Sequence, residues 1–371
     1  MRSLVLHILF FRKRTAPVLL LALLVTIAGC NLNQGTGEQM VNLDKVTDDP
    51  NQHLANLNKA ISRNKQDASL YKRRAKIYLK KGELDKALTD LDEAIRLNKS
   101  DMANLFLKAQ VLRAKGETAQ ALPLALKAER NSFQNLSLYV LLSDLYLQLH
   151  QPENAAIYSK KALKLAPNNE FALYYQGRVA EATGDTVKAA ANYKLAIKEA
   201  PDFAEARREL TGTLLTQKQY DEASLQLQEA LKLVPKDGLL WFYKGELYQG
   251  TQKPDSALWS YGKALNLADT LHQAHYQAGQ LLFAKRDYGG AISHLEKAKK
   301  QYGNTIKYVA ILASAYERTG EKIKALEQYQ RLVELQPGYT GANYSIARLK
   351  AELTRPVPAY VAEPVSADTI E

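Results

Sequence analysis

Gly82-Glu83-Leu84-Asp85-Lys86-Ala87-Leu88-Thr89-Asp90-Leu91-Asp92-Glu93-Ala94-Ile95 decides the architecture of this chain. Leu84, Ala87, Leu88, Leu91, Ala94 and Ile95 recur at helical spacing, which predicts one amphipathic helix opening just after a Gly-Glu turn. Steps of 34 residues from Ala94 land on Ala60, Ala128, Ala162, Ala196, Ala230, Ala264, Ala298 and Leu332. The same step from Ala87 lands on Ala121, Ala155, Ala189, Ala223, Ala257, Ala291 and Ala325. No insertion or deletion breaks either track, and chance does not produce such a register. A period of this length marks stacked structural repeats.

Units beginning at Ala68, Met102, Leu136, Glu170, Ala204, Gly238, His272 and Ile306 each hold two helices of about 14 residues. A short turn joins the helices, as at Gly82-Glu83, Gly184-Asp185 and Gly320-Glu321. Counting from each start, position 8 is small (Ala75, Ala109, Gly177, Gly245, Gly279, Ala313), as are positions 20 and 27 on the two alanine tracks. Large residues stand at position 4 (Tyr71, Tyr139, Trp241) and position 11 (Tyr78, Tyr146, Tyr248, Tyr316). Small residues let paired helix axes approach, and large ones fill the space alongside. A glycine inside a helix costs about 1 kcal/mol against alanine, so Gly177, Gly245 and Gly279 require a packing reason. Pro167, Pro201, Pro235 and Pro337 at position 32 stop second helices, while Pro152 and Pro254 fall where a helix start tolerates proline. Pro123 falls inside a second helix, which predicts a kink or a delayed start there.

The spacing of these small, aromatic and proline positions resembles the tetratricopeptide-repeat (TPR) family over residues 68–339. The resemblance implies an all-α, right-handed superhelix, a solenoid of about eight helix-turn-helix repeats with terminal capping helices, that binds other proteins or peptides. The chain then divides into a leader (1–29), a lipidated cysteine with a flexible spacer (30–49), and an N-terminal half-repeat (50–67). The eight repeats (68–339), a C-terminal capping helix (340–354) and a Pro-containing, disordered tail (355–371) follow. In this family the first helix of each unit lines the inner surface through positions 2, 5, 6, 9, 12 and 13. Those positions give a basic cluster of Lys72, Arg73, Lys76 and Lys80, then Phe106, Tyr174, Tyr175, Phe242, Tyr243, Tyr276 and Phe283. An aromatic groove with a basic end suits peptide binding, because aromatic rings bury much area at modest entropic cost. The competing reading packs the rings against the neighbouring repeat and leaves the charges as a solvated face. The TPR subgroup that clamps a C-terminal carboxylate needs Asn where this chain has Lys76, so that clamp is not expected.

The N-terminus carries an address. Arg12-Lys13-Arg14 precedes an apolar stretch from Ala16 to Gly29, too short to cross a bilayer at about 1.5 Å per residue. Charge, short apolar core and small residues form a secretory leader. The junction Ile27-Ala28-Gly29-Cys30 resembles the bacterial lipobox, which implies cleavage before Cys30, a thioether-linked lipid and palmitate-type acylation of the new terminus. Anchoring becomes stable with two or more chains. The alternative is an uncleaved signal anchor in which Cys30 is incidental. Asn31 stands where an inner-membrane retention aspartate would be read, which leans toward the outer membrane of a bacterial envelope.

Composition narrows the functions. Apolar residues make up 46% and charged residues 24%, the balance of a folded chain, with a net charge of +11. Loss of Arg2, Arg12, Lys13 and Arg14 with the leader leaves about +7, without the concentrated basic motif of a nucleic-acid binder. Cys30 is the only cysteine, so no intramolecular disulfide can form. No catalytic signature and no cofactor motif stands out. His272 and His275 share a helical face at a spacing two metal ligands could use, but packing is the stronger reading. The expected function is a membrane-tethered, non-catalytic scaffold, resembling bacterial TPR lipoproteins that assemble envelope machines. A glycan-binding groove is the alternative, and an envelope-enzyme subunit a weaker one.

Overall fold

The computed structural model describes residues 49–354, and every regular element among them is an α-helix. The leader, Cys30 with nearly all of the spacer, and the tail from residue 355 lie outside the described residues. A single helix, α1 (Pro50–Arg63), precedes the array. Eight antiparallel pairs follow: α2 (Ala68–Lys80) with α3 (Leu84–Leu97), α4 (Met102–Ala114) with α5 (Thr118–Arg130), α6 (Leu136–Gln148) with α7 (Pro152–Leu165), and α8 (Glu170–Ala182) with α9 (Thr186–Glu199). Next come α10 (Ala204–Thr216) with α11 (Tyr220–Leu233), α12 (Gly238–Gly250) with α13 (Pro254–Leu267), α14 (His272–Ala284) with α15 (Tyr288–Tyr302), and α16 (Ile306–Arg318) with α17 (Lys322–Leu335). The array ends on α18 (Thr340–Thr354).

Local chemistry sets these bounds. Asp67, Asp101, Asn135, Asn169 and Asp237 each stand just before a first helix and accept hydrogen bonds from its opening N–H groups. In every repeat the residue closing the first helix's turn adopts a left-handed conformation. Glycine does so in four repeats, as at Gly184 (φ +82°); His150, Lys218, Gln252 and Arg286 do so in the others. Pro152 and Pro254 open α7 and α13, where the missing N–H has no partner to lose. The delayed start expected at Pro123 does not occur. Helix α5 begins at Thr118, in register with the other second helices, and runs through Pro123. The difference is at its far end, where α5 stops at Arg130 after 13 residues and Ser132 turns left-handed (φ 65°).

Every alanine of the two tracks from Ala87 to Ala325 is fully enclosed. The glycines at position 8 find their packing reason in the residue at position 24. A Cβ on Gly177 would lie 2.5 Å from the Tyr193 ring, and one on Gly279 would lie 2.8 Å from Leu295 Cγ. Gly245 meets the Tyr261 ring in the same way. Large residue on one helix, bare backbone on the other: the seam closes by complementary volume. The core is a series of clusters, each spanning neighbouring repeats, such as Leu105 to Ala172 and Leu173 to Leu247. That is the quasi-one-dimensional packing of a solenoid. At the C-terminal end, Ala342 and Leu349 of α18 are buried against the last repeat, which closes its apolar face.

Candidate functional site

The first helices of successive repeats build a cavity of about 520 Å³ between α2, α4, α6 and α8. Its apolar lining is Leu79, Leu136, Val140, Leu141 and Phe171, with Phe171 47% exposed beside Phe203. Its polar lining centres on an ion pair that bridges two repeats, from Arg113 at position 12 of α4 to Asp144 at position 9 of α6. Asp144 is buried and also accepts from Gln148 Nε2 at 2.9 Å. Arg113 keeps one edge toward solvent and donates to Tyr175 Oη at 3.4 Å. Burial pushes the Tyr175 phenol well above its ordinary range, so it stays a neutral hydroxyl at the cavity wall. A concave, mostly apolar surface with a few fixed polar groups is the usual form of a binding site.

The residues singled out from sequence fare differently. Tyr174, Tyr175 and Phe242 are buried, at 6%, 8% and 5% exposure, and belong to the core rather than to an open aromatic lining. Tyr174 packs on Tyr175 and Phe203 with centroids 5.1 and 5.2 Å away, and its hydroxyl accepts from Arg178 at 3.1 Å. Phe242 rests on Tyr261. Phe106 packs on Phe133, Tyr276 stacks on Tyr302 at 4.1 Å, and Phe283 meets Tyr288 edge-on, each ring half-buried. Tyr243 is half-buried over the bare backbone of Gly212. Of the basic cluster, Lys72 is paired to Asp101 at 2.6 Å, and the exposed Arg73 and Lys76 border a hollow against α1. That hollow is separate from the cavity at Arg113 and Asp144.

The residues that do line the cavity occupy the same inner positions: Phe171 at 2, Val140 at 5, Leu141 at 6, Asp144 at 9 and Arg113 at 12. The positional rule pointed to them. Val140, Leu141 and Asp144 are neither aromatic nor basic, so residue type alone does not mark them, whereas Phe171 and Arg113 have those types and are marked by their inner positions 2 and 12.

His272 and His275 have separate partners. His272 Nδ1 lies 2.9 Å from the Lys297 carbonyl, whereas His275 Nδ1 lies 2.9 Å from His294 Nδ1. His275 Nε2 donates to the Asp269 carbonyl at 3.1 Å, so its Nδ1 accepts and His294 supplies the shared proton. Burial holds both rings below the ordinary histidine range, with the neighbouring charge on Lys297 acting in the same direction. Among the described residues no three His, Cys, Asp or Glu side chains gather as metal ligands.

Profiles of the tetratricopeptide repeat match residues 72–135, 136–169, 180–243 and 306–339, together more than half of the chain. No curated protein matches it in sequence. Among solved structures, a chain of the APC/C hetero-tetramer Cut9-Hcn1 aligns at TM-score 0.61 and 15% identity over 81% of this chain. This chain spans only 59% of that one. The pilF protein of Pseudomonas aeruginosa aligns at 0.52 and 22% identity, over 58% of this chain and 97% of its own. A tetratricopeptide repeat protein from Parabacteroides merdae aligns at 0.51 and 19% identity, over 71% and 99%. At these identities the likeness is one of fold. Repeat register, enclosed alanines and matching profiles converge: the chain belongs to the tetratricopeptide-repeat family.

Proposed function

We propose that this protein is a non-catalytic scaffold of the bacterial cell envelope, tethered by lipid on Cys30, whose inner face holds a segment of a partner protein. The observation that carries the reading is the cavity spanning α2 to α8. It offers Leu79, Val140, Leu141 and Phe171 as a floor for apolar side chains, and the Arg113–Asp144 pair as a fixed polar marker. Apolar anchors in a concavity provide most binding energy, and a polar group at the rim sets register. The tether rests on the sequence Ile27-Ala28-Gly29-Cys30. A lipid anchor confines such a scaffold to a membrane surface and raises its effective concentration there.

The glycan reading is less favoured, since of the two tyrosines it invoked Tyr174 is buried and Tyr243 is half-covered. A photo-crosslinking amino acid at Val140 in living cells tests the scaffold reading. Discrete crosslinked proteins are expected, and they should vanish when Leu141→Glu is added. Crosslinks unchanged by Leu141→Glu, or none at all, overturn it. The tether is tested separately by Cys30→Ser, which should move the chain from the membrane to the soluble fraction and abolish palmitate labelling.

A further inference from the structure

Most charged side chains that the repeats draw partly out of water are matched. Arg74 is held by Asp90, Arg208 by Glu209 and Asp237, and Arg348 by Glu317. Glu181 accepts from Tyr193 Oη at 2.8 Å. Glu246 breaks this pattern. It sits at position 9 of α12, partly buried, and its side chain makes no ion pair or hydrogen bond to any described residue. It borders a hollow of about 280 Å³ shared with Thr216 of α10, Tyr220 of α11, Gln249 of α12 and Gln277 of α14. Every polar group around it is an amide or a hydroxyl. Burial alone pushes its carboxyl up to about 7, with no cation close enough to hold it down.

A carboxylate drawn from water without a counter-charge is costly, and a cation entering beside it removes that cost. The hollow is too polar for an apolar side chain and small enough for one charged head group. Gln249 Oε1 already accepts from Tyr261 at 2.8 Å and keeps a second lone pair. Apart from Tyr220 at the start of α11, the hollow is built from positions 6, 9, 12 and 13 of first helices, positions that also contribute to the cavity at Arg113 and Asp144. The two therefore lie on one face, along the path of an extended segment.

We propose that this hollow takes the ammonium or guanidinium head of a Lys or Arg side chain on a partner segment, with Glu246 as its counter-charge. The assignment deepens the scaffold reading, since it rests on the inner face being the binding surface. Titratable groups near Glu246 are phenols: Tyr220 from α11, Tyr261 from α13 and Tyr302 from α15. Tyr243, on the same helix, also feels Glu209, Glu181 and Arg208. Burial keeps Tyr243, Tyr261 and Tyr302 neutral, and Glu246 is the carboxyl that borders the hollow; Glu181, also raised by burial, does not line it.

The test uses the purified full chain and N-acetyl-argininamide, N-acetyl-lysinamide, N-acetyl-leucinamide and putrescine, with binding followed by NMR. Binding of the two basic amides should be roughly tenfold tighter at pH 8 than at pH 6, following the ionised fraction of Glu246. It should fall at least several-fold, and lose its pH dependence, in Glu246→Gln; thermal melting of that variant confirms that the array is intact. Equal affinity in parent and Glu246→Gln, a flat pH profile, or binding of putrescine without the basic amides overturns the assignment. If the Val140 crosslink persists while this titration fails, the scaffold stands and only the cation site falls.

Discussion

The first helix of every repeat has two working surfaces, and they obey different rules. Its seam with the second helix is a volume problem that recurs along the stack. Where position 8 is glycine, at Gly177, Gly245 and Gly279, the residue at position 24 (Tyr193, Tyr261, Leu295) fills the space, and the alanines of the two tracks from Ala87 to Ala325 are enclosed throughout. The inner face of the same helices shows no such repetition. One stretch presents Val140, Leu141 and Phe171 around a matched Arg113–Asp144 pair; a later one presents a lone Glu246 among amides and hydroxyls. A requirement imposed by stacking must recur with the stack, whereas a requirement imposed by a ligand need not recur at all. Periodicity therefore marks structure, and departure from periodicity marks where specificity can sit.

The seam can be broken at Gly245. Helix propensity alone favours Gly245→Ala by about 1 kcal/mol. The new methyl would overlap the enclosed ring of Tyr261, whose backbone is fixed by α13, and overpacking of this kind costs about 1 to 3 kcal/mol. We expect a net loss of up to about 2 kcal/mol by denaturant unfolding. In a Tyr261→Leu background the same substitution should become neutral or stabilising, because the ring it strikes is gone. A gain in the single variant would show that the seam does not depend on volume matching.

The same distinction explains what was legible beforehand. The repeat starts, the enclosed alanines and the role of Gly177, Gly245 and Gly279 all follow from period and size, which a sequence displays directly. The inner face was legible only as a set of positions. Tyr174 and Phe242 carry the residue types expected of a binding groove, yet each is buried against another ring and is spent on packing. What decides exposure is the depth of neighbouring side chains, here Phe203 and Tyr261, and no spacing rule reports that depth. The unmatched state of Glu246 is equally hidden, since it depends on the absence of a cation from four separate helices. The Arg113–Asp144 pair offers the next test. Asp144→Ala removes a charge-assisted bond across two repeats, with Arg113 still partly hydrated. The expected stability loss is about 1 kcal/mol, less than at the seam, with a larger loss of crosslinking at Val140.

The smallest effect concerns the turns, where repetition is of shape and not of residue. Every repeat places a left-handed residue after its first helix, but only four use glycine, and Lys218 holds φ +59° with a full side chain. A side chain in that conformation costs about 1 kcal/mol, offset in part by the larger entropy that glycine brings to the unfolded chain. Lys218→Gly should therefore stabilise the array by about 0.5 kcal/mol, visible as a small rise in the denaturation midpoint with an unchanged slope. Lys218 is exposed and lies outside both inner-face hollows, so neither crosslinking at Val140 nor cation binding at Glu246 should change. If stability fell instead, the Lys218 side chain would be making a contact that the backbone geometry does not require, and this turn would belong with the inner face among the non-repeating parts of the molecule.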